Sequence, residues 1–336
     1  MVNSRDIARI AGVSQSTVSR VLQSRPEVSA ASRAKVEAAL RSVGFTPNPH
    51  AQAMRKAPTN NIGVVVGRIT NPFYPELLTA VNKVLHARGK RMTLWTSDDG
   101  GDEAAVHAIR DRIVDGLIFT TARYQSVVLR EALEQKAPIV LLNRSLDDVD
   151  CDQLTSDNTR GSALAARYLV ENGHTRIAIL GGMPEVSTSR ERRTGFLDAV
   201  SKLGHPVPPE FDLTTDFTHE AGAESARRLL SLDEPPTAIF CVNDLIAFGV
   251  LDAARSIGVR VPEQLSVIGY DDIEMSSWPA YDLTTIRQPT TVMAEFAVEM
   301  LLERLADRDR PFESRRYSAE LVLRGSAGPR AASTDS

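Results

Sequence analysis

The chain has 336 residues, of which 42% are apolar and 24% are charged, and its formal net charge is −4. This composition is ordinary for a globular protein of two or three domains with a sizeable core. No apolar run approaches the length of a membrane span, and the N-terminus lacks the apolar stretch of a signal peptide. Cys151 and Cys241 lie far apart outside any CxxC pattern, which argues against a disulfide framework or a zinc site. These features favour a reducing cytoplasm.

The net charge conceals an asymmetry between the two ends of the chain. Residues 1–58 hold nine basic and three acidic residues, a charge of +6, whereas the remainder carries −10. A basic head on an acidic body is typical of a nucleic-acid binder in which only the head should touch the polyanion.

The first stretch, Ser4 to Leu22, predicts two short helices joined at a glycine. Asn3 can cap the first helix, with Asp6 in the capping-box position, and Gly12 favours the left-handed turn that ends it. Ser14 can restart a helix by capping the amides that follow it. A connection of about three residues between two short helices is typical of the helix-turn-helix motif.

The two helices are predicted to have one apolar and one polar face. The apolar face comprises Ile7, Ala8, Ile10, Val13, Val18, Val21 and Leu22. The outward face of the second helix comprises Gln15, Ser16, Ser19 and Arg20. Amides and hydroxyls near a helix N-terminus can read base edges or hold phosphates, and an arginine can reach a guanine. A solvated face on a small helical bundle is the alternative.

A third helix is predicted from Ser29, as its cap, to Val43, with Gly44 as its stop. Pro47 and Pro49 then forbid a continuous helix, and residues 50–55 suffice for about one and a half turns, too short to be stable alone. These residues form either a hinge or a mere linker.

The segment DIARIAGVSQSTVSRVLQSRPEVSAASRAKVEAALRSVGFTPNPHAQAMR resembles the DNA-binding headpiece of the LacI/GalR family of transcriptional regulators. The resemblance implies a hinge helix that folds when two copies meet on DNA, with Met54 where the family has a leucine that wedges into the minor groove. Pro49 and Gln52 depart from the commonest hinge. The residues expected to meet DNA are Ser14, Gln15, Ser16, Thr17, Ser19 and Arg20 in the headpiece, and Asn48, Ala51 and Met54 in the hinge.

From Ile62 onward, short apolar runs alternate with helical stretches such as Tyr74 to Arg88 and Ser162 to Glu171. The predicted strands are IGVVVG, RMTLWT, GLIFTT and PIVLLN, then RIAILGG, TAIFCV and LSVIGY. Strands of this kind indicate parallel sheets covered on both faces, and their distribution around Asp157 predicts two similar α/β halves. A ligand is expected where the carboxyl ends of both sheets face each other.

The body resembles the effector domain of the same family, itself similar to periplasmic sugar-binding proteins, through segments such as TNPFYPEL, TSDN, ENGHTRIAILGG, FCVNDLIAFGVLDAA, LSVIGYDD and LTTIRQP. The resemblance implies an aromatic wall from Phe73, Tyr74 and Phe217, and polar contacts from Thr120, Asn143, Arg192, Asn243, Asp271 and Gln288. Each has a simpler alternative. Phe73 and Tyr74 could be ordinary core, Asn243 only an N-cap, Asp271 a loop cap, and Arg192 part of a solvated charge run.

The expected fold is therefore a small all-α helix-turn-helix headpiece followed by an α/β body of two similar parallel-sheet subdomains. The predicted boundaries are residues 1–46 for the headpiece, 47–60 for the hinge and linker, 61–330 for the effector-binding and dimerisation domain, and 331–336 for a disordered tail. Within the body, the halves are expected to divide near 157–160, with a crossover near 286–290.

The predicted function is a transcriptional regulator, most simply a repressor, that binds an inverted-repeat operator as a dimer under the control of a small ligand, a sugar or sugar derivative. No catalytic motif and no metal-ligand spacing is recognisable, so neither enzyme activity nor a cofactor or metal is expected. The tail GSAGPRAASTDS carries no apolar heptads, which favours a dimer over a coiled-coil tetramer. The alternatives are a solute-binding protein and a sugar-processing enzyme.

Overall fold

A computed structural model describes residues 4–22, 28–43, 58–97, 100–122 and 126–330. The chain divides into two compact units, of which the smaller contains residues 1–59 and the larger begins at Asn60. In the described ranges, no helix is both long and apolar enough to cross a membrane.

The headpiece contains three helices, α1 (Ser4–Ala11), α2 (Gln15–Leu22) and α3 (Ala30–Ser42). Gly12 has a φ of 64°, the left-handed conformation predicted to end α1. The Ser14 hydroxyl accepts a hydrogen bond from the Thr17 amide at 3.1 Å, and the Ser29 hydroxyl accepts one from the Ser32 amide at 3.3 Å. Both predicted serine caps therefore begin their helices, as N-cap side chains do. Asn3 and Gly44 lie outside the described residues.

The headpiece core confirms most of the predicted apolar face but corrects one position. Ile7, Val18 and Val36 are fully buried, whereas Ile10 is 50% exposed. Ala11 is buried in its place. Residues 7 and 11 lie one above the other on an α-helix, while residue 10 is rotated toward the flank, so the small Ala11 faces α2 and α3.

The body alternates strands and helices along its whole length. Its helices are α4 (Phe73–Ala87), α5 (Gly101–Arg110), α6 (Val127–Glu134), α7 (Asn158–Glu171), α8 (Ser187–Lys202), α9 (His219–Leu230), α10 (Asp244–Ser256) and α11 (Thr290–Ala306). Its strands are β1 (Asn61–Val66), β2 (Arg91–Thr96), β3 (Gly116–Phe119), β4 (Ile139–Leu142), β5 (Asp152–Ser156), β6 (Ile177–Gly181), β7 (Asp212–Thr214), β8 (Ala238–Cys241), β9 (Ser266–Asp271), β10 (Thr284–Arg287), β11 (Ser314–Tyr317) and β12 (Glu320–Val322).

The strands form two sheets with matching orders, β11-β5-β4-β3-β1-β2 and β12-β10-β9-β8-β6-β7. We call the sheet containing β1, with its helices, the first subdomain, and the sheet containing β6 the second. Pairing is parallel throughout both sheets except that β12 runs antiparallel to β10. The central strands, such as β4 and β9, are buried along their whole length because helices cover both faces. The predicted pair of parallel-sheet halves is confirmed.

The chain passes between the subdomains three times. The first crossover follows β5 into α7, the second follows β10 into α11, and the third joins β11 to β12. The third was not anticipated, because β11 and β12 are short, polar strands without the apolar runs used to find the others. The polar strands β5, β7 and β10 escaped prediction for the same reason.

Candidate functional site

A cavity lies between the two subdomains, at the carboxyl ends of both sheets. It holds about 1060 Å³ of empty space, part of it open to solvent. Loops after β1, β2, β3 and β4 line one side, and loops after β6, β7, β8 and β9 line the other. Since ligands of open α/β sheets bind outside the carboxyl ends of the strands, this is the expected place for a binding site.

Seven of the nine cleft residues predicted from the sequence line this cavity: Phe73, Tyr74, Asn143, Arg192, Phe217, Asn243 and Asp271. Thr120 does not, because its hydroxyl donates a hydrogen bond to the Val65 carbonyl at 3.0 Å inside the first sheet. The next residue, Thr121, lines the cavity instead. Gln288 also lies behind the cavity wall, where its Nε2 donates to Asp271 Oδ1 at 2.7 Å.

Arg192 and Asp271 form a buried ion pair on the second-subdomain side of the cavity. The distance from Arg192 Nη1 to Asp271 Oδ1 is 3.0 Å. Arg192 also donates from Nη1 to the Val242 carbonyl at 2.7 Å, and its guanidinium lies 3.7 Å above the Tyr270 ring. Burial raises the pKa of Asp271, while the Arg192 charge acts in the opposite direction. Because Arg192 is buried and paired, it is not part of a solvated charge run, the simpler alternative that the sequence RERR allowed.

Arg144 is a cavity residue that sequence reasoning missed. Its guanidinium is buried and donates to the Tyr74 hydroxyl and the Thr188 hydroxyl, each at 3.0 Å. Within the described chain no carboxylate pairs with it. The available signal was its place directly after Asn143, at the end of the apolar strand PIVLLN, where a charged side chain must face either solvent or a site.

Aromatic side chains line the cavity from both subdomains. Phe73 and Tyr74 contact each other edge to face, with ring centroids 5.5 Å apart. Phe217 contributes from the loop after β7, with a positive φ of 67°. A Cβ atom at Gly182 would lie only 2.2 Å from the Phe217 ring, so this ring position requires glycine at 182.

Among the described residues of the first subdomain that line the cavity, two buried polar atoms lack a hydrogen-bond partner. They are Asn143 Oδ1 and Thr121 Oγ1, both buried and both belonging to residues that line the cavity. Asn143 also has a φ of 63°, which a non-glycine residue rarely adopts. Unsatisfied polar atoms and backbone strain of this kind concentrate at sites where a ligand completes the bonding.

Asn243 has both of the roles weighed for it from the sequence. Its Oδ1 accepts the Ile246 amide at 2.9 Å and caps α10, and the residue also lines the cavity. The next residue, Asp244, is fully buried and accepts from Thr285, Ser276 and the Ile273 amide. Burial, with the nearby Asp271 charge, raises the pKa of Asp244 to about 8.

The candidate DNA-reading face of the headpiece lies on α2. Gln15, Ser16 and Arg20 are exposed there, and Ser19 and Thr17 are half-buried. Ser14 is exposed and contacts the Ser16 hydroxyl at 2.7 Å as well as the Thr17 amide. The three hinge residues proposed to meet DNA, Asn48, Ala51 and Met54, lie outside the described residues.

The chain is similar to known proteins over nearly its full length. Residues 5–48 match the model for bacterial regulatory proteins of the lacI family, and residues 166–327 match a periplasmic binding protein-like domain. The ribose operon repressor of Escherichia coli (strain K12) is 34% identical over 334 residues, covering 97% of this chain and 100% of that protein. The chain belongs to the lacI family. Like these relatives, which are transcriptional repressors, the lacI-family protein is a DNA-binding transcriptional repressor and not an enzyme.

Solved structures agree with this assignment. The lac repressor dimer bound to operator and the anti-inducer ONPF superposes with a TM-score of 0.82 at 28% identity, covering 97% of this chain and 98% of that one. A LacI family regulator from Enterococcus faecium with bound ribose has a TM-score of 0.72 at 28% identity, covering 81% of this chain and all of that one. The resemblance and the fold predicted from the sequence are confirmed.

Proposed function

We propose that this repressor binds a small sugar or sugar derivative in the cavity, and that occupancy of the cavity controls its affinity for DNA. The observation that carries the proposal is the composition of the cavity wall. Aromatic rings from both subdomains stand beside a buried Arg192–Asp271 pair and two unpartnered polar atoms, Asn143 Oδ1 and Thr121 Oγ1.

Each part of that wall matches one part of a sugar. A carboxylate accepts from ring hydroxyls and a guanidinium donates to them in a fixed fork, while an aromatic face covers the apolar face of the ring. A hydroxyl from the ligand can donate to Asn143 Oδ1 and exchange a hydrogen bond with Thr121 Oγ1. The ribose-bound relative and the ribose operon repressor support this class of ligand.

Arg144 favours a second candidate, a sugar that carries a phosphate or carboxylate group. Among the described residues that line the cavity, the buried charged side chains are the guanidiniums of Arg144 and Arg192 and the carboxylate of Asp271. At the exposed rim, Arg68 and Asp216 balance each other. A buried guanidinium without a carboxylate partner is a strong site for an anionic substituent.

A thermal-shift screen of the full chain tests the proposal. The ligands are D-ribose and other pentoses, hexoses, their phosphates, nucleosides, nucleobases and small acids. A ligand at a hundredfold excess over its dissociation constant should add about 2.7 kcal/mol to the stability of the body. A neutral sugar that stabilises more than its phosphate supports the first candidate, and the reverse order supports the second. Stabilisation by nucleobases alone, or by nothing, contradicts both.

We further propose that the chain binds an inverted-repeat operator as a homodimer through α2 and the hinge residues Asn48, Ala51 and Met54. The operator-bound lac repressor dimer and the exposed polar face of α2 support this arrangement. Selection from random DNA with the purified chain should recover a two-fold symmetric site. The screened ligand is then added to that complex: weaker DNA binding indicates induction, and stronger DNA binding indicates co-repression. Because coupling between two sites is reciprocal, DNA should change the ligand affinity by the same factor.

The role of Arg20 can be tested on the selected site. Arg20→Ala should weaken specific binding by about 1 to 3 kcal/mol and relax preference at one base pair, if the guanidinium reads a base edge. The matched control is Arg9→Ala, which removes the same charge from α1, where Arg9 is 83% exposed. An equal loss on specific and random DNA would assign Arg20 to a phosphate contact.

A further inference from the structure

A continuous set of hydrogen bonds joins the cavity to the connections between the subdomains. We call it the crossover network. On one branch, Asp271 Oδ1 accepts from Gln288 Nε2 at 2.7 Å, and Gln288 Oε1 accepts from Ser156 Oγ at 2.8 Å. Gln288 directly follows β10 and Ser156 ends β5. The carboxylate that faces the cavity is therefore bonded to the second crossover and, through it, to the first.

The other branch begins at Arg192. Its Nε donates to Asn158 Oδ1 at 2.9 Å, and Asn158 Nδ2 donates to Glu191 Oε2 at 2.8 Å. Glu191 Oε1 in turn accepts from Arg316 Nη2 at 3.0 Å. Asn158 begins α7 in the first crossover, and Arg316 is the second-last residue of β11, the strand that precedes the third crossover. This branch ties the cavity arginine to the remaining crossover.

The hydrogen bonds of this branch differ in how far they are buried: those of Asn158 are buried, and the ion pair between Glu191 and Arg316 is partly exposed. Asn158 is fully buried, so its hydrogen bonds with Arg192 and Glu191, and a longer one that its Oδ1 accepts from Ser156 Oγ at 3.3 Å, are shielded from water. The Glu191 side chain is 14% exposed and that of Arg316 is 48% exposed. Neither Glu191 nor Asn158 lines the cavity, so neither can touch a ligand there. Glu191 therefore acts on the cavity through Asn158, whose Oδ1 accepts from both Arg192 Nε and Ser156 Oγ.

We propose that Glu191 is a positioning residue for Arg192. Acting through Asn158, it holds the acceptor that fixes Arg192 Nε, and its pair with Arg316 links that geometry to the placement of the first subdomain relative to the second. The inference rests on the proposed function for its meaning, because it makes ligand affinity and subdomain placement depend on the same hydrogen bonds.

The adjacent residue on α8 provides a matched control. Arg190 also forms an ion pair across the subdomains, with Asp147 at 3.6 Å, but neither residue is bonded to Arg192 or Asn158. If Glu191 were only a surface ion-pair partner, its removal and that of Arg190 should have equally small effects. If it positions Arg192, only its removal should change Arg192.

The test is the solvent-exchange rate of the Arg192 Nε–H, measured by nuclear magnetic resonance on the full chain with isotope-labelled arginine. The resonance is assigned by its loss in Arg192→Lys. Glu191→Ala should accelerate exchange about tenfold, as expected when one buried hydrogen bond is weakened. Glu191→Gln retains an acceptor for Asn158 Nδ2 but loses the one for Arg316 Nη2, so its exchange rate should lie between those of the wild type and Glu191→Ala and match that of Arg316→Ala. Arg190→Ala should exchange as the wild type does.

A surface variant tests the link to the third crossover. Arg316→Ala should accelerate Arg192 exchange by up to about fivefold, the range for a partly exposed ion pair. The neighbouring Arg315→Ala should not, since Arg315 pairs with Glu313 at the start of β11 and not with Glu191. Being half exposed, Arg316 can be replaced even if Glu191→Ala does not fold.

The proposal is overturned if Glu191→Ala or, where that variant does not fold, Arg316→Ala leaves the Arg192 rate unchanged. It is equally overturned if Arg190→Ala accelerates exchange as much. The measurement uses neither ligand nor DNA. Its failure is therefore distinct from failure of the proposed function, which would appear as a ligand screen without a sugar hit.

Discussion

The two subdomains share one strand order but place different chemistry at matching positions. Thr121 stands two residues after β3 and Asn243 two residues after β8, and these strands occupy the same place in their sheets. Asn143 follows β4 and Asp271 ends β9, and both have a positive φ, of 63° and 120°. Each pair faces the same cavity from opposite sides.

The difference lies in how far each side is satisfied without a ligand. In the second subdomain, Asp271 is paired with Arg192 and Asn243 caps α10. In the first, Asn143 Oδ1 and Thr121 Oγ1 have no partner among the described residues. The second subdomain therefore presents a preassembled polar surface, while the first holds atoms whose bonding a ligand would complete. Preorganisation of one wall reduces the cost of ordering on binding.

Removing the cavity arginine from each subdomain gives the largest expected contrast. Arg192→Met should lower the free energy of unfolding by about 3 to 5 kcal/mol, because it leaves Asp271 buried without its cation. Arg144→Met removes hydrogen bonds to hydroxyls but leaves no unpaired carboxylate, so about 1 to 3 kcal/mol is expected. Urea unfolding followed by the fluorescence of Trp95 and Trp278 measures both. Equal losses would show that Arg192 and Asp271 do not act as a pair.

A pH series separates the subdomains at one matching position, which holds a buried acid in the second subdomain and an alanine in the first. Asp244 follows Asn243, whereas Ala122 stands at the matching position of the first subdomain. Because burial raises the folded-state pKa of Asp244 from 3.8 to about 8, its contribution to stability is complete below pH 3.8 and is lost as the pH rises through about 8. The stability of Asp244→Asn relative to the wild type should therefore increase with pH over that window.

Asp216→Asn is the control of opposite sign for that series. A hydrogen bond from the Thr218 hydroxyl is the main cause that lowers the pKa of Asp216 below 3.8. Its contribution is present above that value and is lost as the pH falls through the lowered pKa. The stability difference from the wild type should thus change between pH 3.8 and about 8 for Asp244→Asn, but only below pH 3.8 and with the opposite sign for Asp216→Asn. A flat difference for Asp244→Asn would mean that Asp244 has the same pKa in the folded chain as in the unfolded one.

Elements with a local physical signal were predictable from the sequence. Buried parallel strands are continuous apolar runs, and serine caps and a left-handed glycine mark helix ends, so the subdomains and the headpiece helices could be placed. Strand β5 could not, because its buried Asp152 is paired with Arg304 and Arg310, which lie 152 and 158 residues later in the chain. No local pattern reveals such a partner.

The sequence predicted which loops form the cleft, but not which side chain of each loop lines it. Thr120 and Thr121 are chemically identical neighbours, and only the pleat at the end of β3 decides which of them faces the cavity. Gln288 and Asn158 lie in segments that resemble the family, yet their role is to hold Asp271 and Arg192 from behind. Whether a polar side chain lines the cavity or holds a lining residue from behind depends on packing between the subdomains, which the sequence does not show.

The neighbouring threonines provide the smallest and sharpest comparison. Thr121→Val keeps the shape of a side chain whose Oγ1 has no partner among the described residues, so the stability of the ligand-free chain should stay within about 0.5 kcal/mol of the wild type. The affinity for the ligand found in the screen should fall by about 0.5 to 1.5 kcal/mol, the net value of one hydrogen bond. Calorimetric titration and urea unfolding measure the two quantities.

Thr120→Val should show the reverse pattern. It removes the hydrogen bond to the Val65 carbonyl, so the free energy of unfolding should fall by about 1 kcal/mol while ligand affinity is unchanged. The two variants delete the same hydroxyl from adjacent residues, so any general effect of the substitution cancels between them. If Thr120→Val lowered affinity and Thr121→Val did not, the ligand would contact the other side of β3, and the wall assigned to the first subdomain would be wrong.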